Sequence, residues 1–259
     1  MGRAAGSSFS GAAAWGERMD GLHLGLFLLA TFAGAFVAGL TGFAFGLIAA
    51  SLWLFILTPT QTALMIIAFG LVVQFYSVWK LRLPVDARRL WPFIVGAALG
   101  VPLGVAVLTV SNPAQVRAGI GAFLVVYSLY GLFRPAIGPV AFGGAVADAG
   151  VGFLNGILSG VSGLSGVFVT IWAGLRGWPK DQQRAVFQPF IIATFLMSAA
   201  WLAGRGAFDM TSVRLFLLGL PALLLGTWLG MKLYGRLDEA TFRKVVLVLL
   251  LISGAALMF

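Results

Sequence analysis

The residues best placed to do chemistry in this sequence are hydroxyls set among glycines. One cluster runs Gly39-Leu40-Thr41-Gly42-Phe43-Ala44-Phe45-Gly46, and a second runs from Gly156 to Gly166 with Ser159, Ser162, Gly163 and Ser165 inside it. Glycines this dense favour unwinding of a membrane helix. An unwound turn leaves N–H and C=O groups that hydrocarbon cannot satisfy, so the break must face protein or a water-filled cavity. The helix that resumes after the break offers free N–H groups and the positive end of its dipole, which attract an anion without any buried lysine. Thr41, Ser162 and Ser165 add hydroxyl donors at the same places. A structural reading competes for the second cluster: Gly152, Gly156 and Gly160 recur every four residues, a spacing that lets membrane helices pack closely.

Gln74, Asn155, Gln188 and Thr194 are the remaining polar side chains inside apolar stretches. A buried amide or hydroxyl is costly unless it is bonded, so each either ties helices together or lines the same anion cavity. Gln188 immediately precedes Pro189, where the helical ladder weakens and a carbonyl is exposed. Arg184, one turn earlier, has a planar fork of donors that could reach a passing anion; the alternative is snorkelling at the interface. His23, the one histidine, lies near the start of the first apolar stretch and suggests no chemistry. Asp148 stands at the start of another, where a helix N-terminus accounts for an acid. No Asp or Glu falls in the middle of a stretch, so the usual carboxylate proton relay has no carrier. Without cysteine, and without a Ser-His-Asp set, a phosphate loop or a cluster of metal ligands, neither an enzyme nor a bound cofactor is expected.

The elements that must hold these residues follow from composition. The chain has 259 residues, 60% hydrophobic and 10% charged, with a formal charge of +9. A soluble domain would carry about a quarter charged residues, which argues against a soluble enzyme and against nucleic acid as a partner. Residues 21–79 contain no Asp, Glu, Lys or Arg, and further such runs cover 90–116, 149–175 and 185–204. A spanning helix needs roughly 20 apolar residues, and the alternating pattern of a membrane barrel is missing. The expected fold is therefore an all-α integral membrane protein embedded in the lipid bilayer. Eight apolar segments are predicted, at about 21–57, 61–79, 91–110, 117–134, 148–175, 185–204, 213–231 and 242–259. Residues 1–20 read as a disordered tail with no cleavable signal peptide. The eight tryptophans, Trp53, Trp79, Trp91, Trp172, Trp178, Trp201 and Trp228 among them, are largely what interfacial belts require.

Comparison of the two halves exposes a repeat. Gly39-Leu40-Thr41-Gly42-Phe43 aligns with Gly160-Val161-Ser162-Gly163-Leu164, Pro59 with Pro179, Gly100-Val101-Pro102 with Gly219-Leu220-Pro221, and Arg117 with Arg243. Gln74 and Thr194 occupy equivalent places. The division is 21–134 for the first repeat, 135–147 for a linker and 148–259 for the second. If all eight segments crossed once, the basic residues would divide nine against eight; if the first and fifth turned back on themselves, they would divide twelve against five. Lys and Arg collect on the cytoplasmic side, which favours inverted halves with both termini outside and the two glycine-rich segments re-entrant. A straight helix over 21–57 would also be about 55 Å long, against a hydrocarbon core of roughly 30 Å.

The glycine clusters, the stretch Val85-Asp86-Ala87-Arg88-Arg89-Leu90-Trp91-Pro92-Phe93 leading to Gly100-Val101-Pro102-Leu103-Gly104, and the paired Arg117 and Arg243 resemble the sulfite exporter TauE/SafE family, also called the 4-toluene sulfonate uptake permeases. The resemblance spans about 21–259. It departs from the usual pattern at Leu164 and Ser165, where the second cluster often continues with glycines, and over Trp178 to Pro189. It implies a duplicated multi-helix permease for sulfur-containing or other small organic anions, sulfite and sulfonates among them; the broken segments themselves point to an inner-membrane protein with a site near the midplane, between the repeats. Residues expected at that site are Thr41, Gly42, Gln74, Asn155, Ser162, Gly163, Ser165, Arg184, Gln188 and Thr194. A membrane scaffold whose glycines serve packing only, and a passive anion channel, are the competing readings; a homo-oligomer is compatible with each.

Overall fold

A computed structural model describes residues 21–42, 44–81, 85–133, 143–233 and 239–258. The N-terminal stretch 1–20 and most of the expected linker lie outside the described residues, as does the side chain of Arg243. Ten helices are described: α1 (Gly21–Thr41), α2 (Phe45–Trp53), α3 (Pro59–Leu81), α4 (Ala87–Val110), α5 (Pro113–Phe133), α6 (Gly144–Ser162), α7 (Val167–Leu175), α8 (Lys180–Gly204), α9 (Met210–Leu233) and α10 (Glu239–Ala256). The eight apolar segments are all present, the first and fifth each broken in two. Helix α6 begins at Gly144, inside the stretch expected as a linker.

Several helices start on a side-chain cap. Thr58 Oγ1 accepts from Gln61 N while Gln61 Oε1 accepts from Thr58 N, both at 3.2 Å, a reciprocal box that opens α3. Asp86 Oδ1 accepts from Arg89 N at α4, Asn112 Oδ1 from Ala114 N at α5, and Asp209 Oδ1 from Ser212 N at α9. Pro59 and Pro113 occupy first helical positions, where no N–H is needed.

Seven helices, α1, α3, α4, α5, α6, α8 and α9, are long and apolar enough to cross a membrane, and α10 has a shorter apolar stretch, Val246–Ala256. Large apolar side chains such as Leu99, Leu103, Val126 and Leu217 point outward, as a lipid-facing surface requires. The chain is a multi-pass membrane protein.

Helix pairing is reciprocal between the halves: α1 lies along α9, α4 along α6, α3 against α8 and α5 against α10. Small residues make the closest approaches. A Cβ added at Gly100 would stand 2.2 Å from the Phe153 carbonyl oxygen of α6, and one at Gly156 would stand 2.7 Å from the Ala97 carbonyl oxygen of α4. The packing reading of Gly152, Gly156 and Gly160 is thus correct for those three residues.

Each broken segment closes on itself through a tryptophan. In the first, Trp53 at the end of α2 stacks on Phe27 near the start of α1, centroids 5.2 Å apart, and its Nε1–H points to the Phe27 carbonyl at 3.4 Å. In the second, Trp172 near the end of α7 donates to Asp148 Oδ1 near the start of α6 at 2.7 Å. Both segments therefore reverse, and their ends meet. The arms are unequal, however: α1 has 21 residues and α2 nine, α6 has 19 and α7 nine. From Phe27 to Thr41 the long arm rises about 21 Å, roughly two thirds of a 30 Å hydrocarbon core. Trp53 is wholly buried among Phe27, Phe45 and Phe69, which corrects its assignment to an interfacial belt. An indole surrounded by three phenylalanines is core packing. Trp79, Trp91, Trp201 and Trp228 do lie exposed.

Candidate functional site

The first break is a single positive-φ turn. Gly42 has φ +90° and closes α1 by donating to the Ala38 carbonyl at 2.7 Å. Residues with a Cβ avoid that conformation, so the glycine defines where the helix ends. Thr41 Oγ1 sends its proton back to the Val37 carbonyl at 2.9 Å and accepts the Ala44 N–H at 3.3 Å. The second break does the same with Ser162. Its hydroxyl donates to the Leu158 carbonyl at 2.7 Å and accepts from Leu164 N at 3.2 Å, while Gly163 and Gly166 take φ of +74° and +83°. Thr41 and Ser162, paired by the repeat, build the breaks through those bonds.

Two amides flank the first break. Gln74 Nε2 of α3 donates to the Gly42 carbonyl at 2.9 Å, and Gln188 of α8 approaches the same glycine, its Nε2 3.4 Å from where a Cβ on Gly42 would be. Gln74 Oε1 and Gln188 Nε2 are buried and have no hydrogen-bond partner among the described residues. Arg184, one turn before Gln188, is also buried rather than snorkelling, and its Nη2 donates to the Leu40 carbonyl at 3.4 Å. A guanidinium there meets the negative end of α1.

The second break is held by a directed chain. Asn155 Oδ1 accepts the Phe168 N–H in the first turn of α7 at 3.0 Å, and its Nδ2 points to Ser165 Oγ at 3.5 Å. Ser165 Oγ lies 2.6 Å from Thr194 Oγ1, which has the Phe190 and Ile191 carbonyls of its own helix at 3.0 Å. Because the threonine proton goes to a backbone carbonyl, the serine donates and the threonine accepts. Gln74 and Thr194, equivalent in the repeat, thus serve equivalent ends: each secures the break opposite its helix. The pair Ser159 and Ser198, 3.3 Å apart, extends the polar seam between α6 and α8 and was not anticipated. Its signal is visible afterwards, since Ser198 follows Thr194 by one helical turn.

The two breaks touch. A Cβ on Gly46 would lie 3.0 Å from Leu164 Cδ2, and Gly163 is pressed against Ala63 and Ile66 of α3. Between them is a small cleft lined by Phe45, Gly46 and Leu47 in the first turn of α2, Val167 in the first turn of α7, Gln74, Gly163, Ser165, and Phe195 of α8. Neither helix start has a side-chain cap on its N-cap residue, so both present the positive dipole end to this space. Of the charged side chains that are buried among the described residues, Asp148 is clasped to Trp172 and Arg184 stands beside the first break. The environment suits negative charge and offers N–H donors rather than carboxylates. Gly42, Gln74, Arg184 and Gln188 gather at one break, and Asn155, Ser162, Gly163, Ser165 and Thr194 at the other.

A bundle of apolar helices enclosing two facing helix breaks is the architecture of a membrane transporter. The family model for the sulfite exporter TauE/SafE matches residues 26–257, nearly the whole chain, and the chain belongs to that family. Comparison with curated proteins and with solved structures gives no match.

Proposed function

We propose that this chain is a permease for small anions, sulfur oxyanions in particular, which bind between the two breaks and cross as one half of the molecule rocks against the other. The observation that carries this reading is the convergence of two helix N-termini on one cleft: α2, whose start has no side-chain cap, and α7, whose first turn keeps free N–H groups beside the one that Asn155 accepts, with Arg184 buried at the C-terminal end of α1. Free N–H groups at helix starts recognise oxyanions, and transporters built from inverted repeats place such broken helices at the substrate.

Inverted halves are supported by the clasps. Helix α3 leaves the Phe27–Trp53 clasp and rises roughly 34 Å over its 23 residues. Beyond it, Arg89 at the start of α4 lies over Trp178, 5.1 Å from the ring centroid, and Arg176 lies over the same indole at 5.9 Å while facing Asp148 at 3.7 Å. The second clasp therefore belongs to the far end, and the two hairpins enter from opposite sides. In this reading the Arg89 end faces the cytoplasm, the protein sits in the inner membrane, and both termini are extracytoplasmic.

The deciding experiment has two stages. Purified protein is screened for thermal stabilisation by sulfite, sulfate, thiosulfate, sulfonates and carboxylates, and the stabilising anions are then tested for flux in vesicles. Saturable flux with counterflow supports the permease; linear flux without counterflow supports a channel; failure of every anion to bind or move supports a scaffold. Single cysteines introduced at Lys180 test topology, since labelling only from outside contradicts the proposed orientation.

A further inference from the structure

Resting on the permease reading, we infer that the site selects a protonated monoanion, an oxyanion that keeps one acidic O–H, over dianions and over monoanions without a hydroxyl. Three observations at the first break converge. Gln74 Nε2 is committed to the Gly42 carbonyl, which fixes the amide and leaves Oε1 as a buried acceptor with no partner. Gln188 Nε2, against the same glycine, is a buried donor with no partner, and both side chains are at least 97% buried. Buried polar groups are almost always bonded, so a ligand that completes this pair must both accept and donate. An ordinary anion can only accept, and its lone pairs would repel Oε1.

Charge points the same way. Of the elements around Gly42, α3 brings Gln74, α8 brings Arg184 and Gln188, and α9 brings Thr227; Asp181 and Lys232 are exposed at helix ends. Arg184 supplies positive charge beside the break. Burying a second negative charge in a low-dielectric interior costs more than burying one. Hydrogen sulfite fits, as do hydrogen carbonate and the monoanion of phosphite; sulfate, nitrate and methanesulfonate do not.

The test is a matched panel on the full chain in detergent or nanodiscs, buffered well below the second ionisation of sulfurous acid. Binding of hydrogen sulfite and hydrogen phosphite is compared with that of nitrate, methanesulfonate and sulfate by calorimetry. An unmet buried acceptor weakens the hydroxyl-free anions by about ten- to a hundredfold, so that gap is the expected result. Gln188→Leu weakens both classes and keeps the gap; Gln74→Leu closes it. Equal or tighter binding of nitrate or sulfate overturns the inference while leaving the permease intact, because water would then be satisfying the two amides. Binding of no anion at all overturns both. The wild-type panel decides even if Gln74→Leu fails to fold.

Discussion

Gly42→Ala separates the role of backbone conformation from that of space. An added Cβ meets Gln188 Nε2 and Phe187 Cζ at 3.4 Å, ordinary contact, so crowding is not the difficulty. The difficulty is φ of +90°, which costs a residue with a Cβ about 1–2 kcal/mol. That strain weighs on the native break alone, and a relaxed break with negative φ escapes it at the expense of the Gln74 bond to the Gly42 carbonyl. The substitution therefore biases the segment toward the relaxed form by the same 1–2 kcal/mol. Apparent anion affinity falls in proportion to the competent fraction, by up to about 5- to 30-fold. The control is Gly150→Ala: this exposed helical glycine has nothing within 4 Å of its added Cβ, and the change gains up to about 1 kcal/mol of helix propensity. Thermal melts and anion titrations on both variants read the difference. If Gly42→Ala melts and binds like the wild type, the positive-φ break is not what shapes the site; if it melts lower with unchanged affinity, the break is structural only.

Ser165→Ala removes the link between Asn155 and Thr194; it should cost about 1–3 kcal/mol and weaken flux, checked by melting and by vesicle uptake. Gly100→Val places methyls against the Phe153 carbonyl, forces α4 from α6 and should abolish monodisperse protein on fluorescence-detected size exclusion. Trp172→Phe deletes the indole donor to Asp148 and should cost about 1.5–3 kcal/mol, read as a lower melting temperature. Trp53→Ala empties a fully buried aromatic site and should cost about 3–5 kcal/mol, more than any of the polar changes.

Much of the architecture was legible because membrane helices advertise themselves. Long apolar stretches located every segment, while Asp86, Asn112 and Asp209 cap helices that begin three or four residues before the predicted segments. The glycines were harder, since one residue type serves two purposes. Gly156 and Gly163 sit seven residues apart in the same cluster, yet Gly156 is helical and pressed on Ala97 while Gly163 adopts φ of +74°. Composition reports density, and only backbone geometry separates contact from reversal. The amides were found because polar atoms are rare in such segments, but their orientation depends on which carbonyl lies opposite. Thr41 and Ser162 showed the converse: hydroxyls expected to reach outward send their protons to their own helix. Trp53 was misplaced because an indole suits a membrane interface and a buried core alike, and only the surrounding phenylalanines decide.

The two tryptophan clasps stand 119 positions apart in the chain, and they differ in what they hold. Trp53 is sealed in a dry aromatic cluster, whereas Trp172 grips a carboxylate that also faces a guanidinium 21% exposed. Mobile ions weaken the second arrangement and leave the first untouched. Ionic strength therefore acts on one clasp and not on the other: a latch that loosens with salt, and a pin that holds.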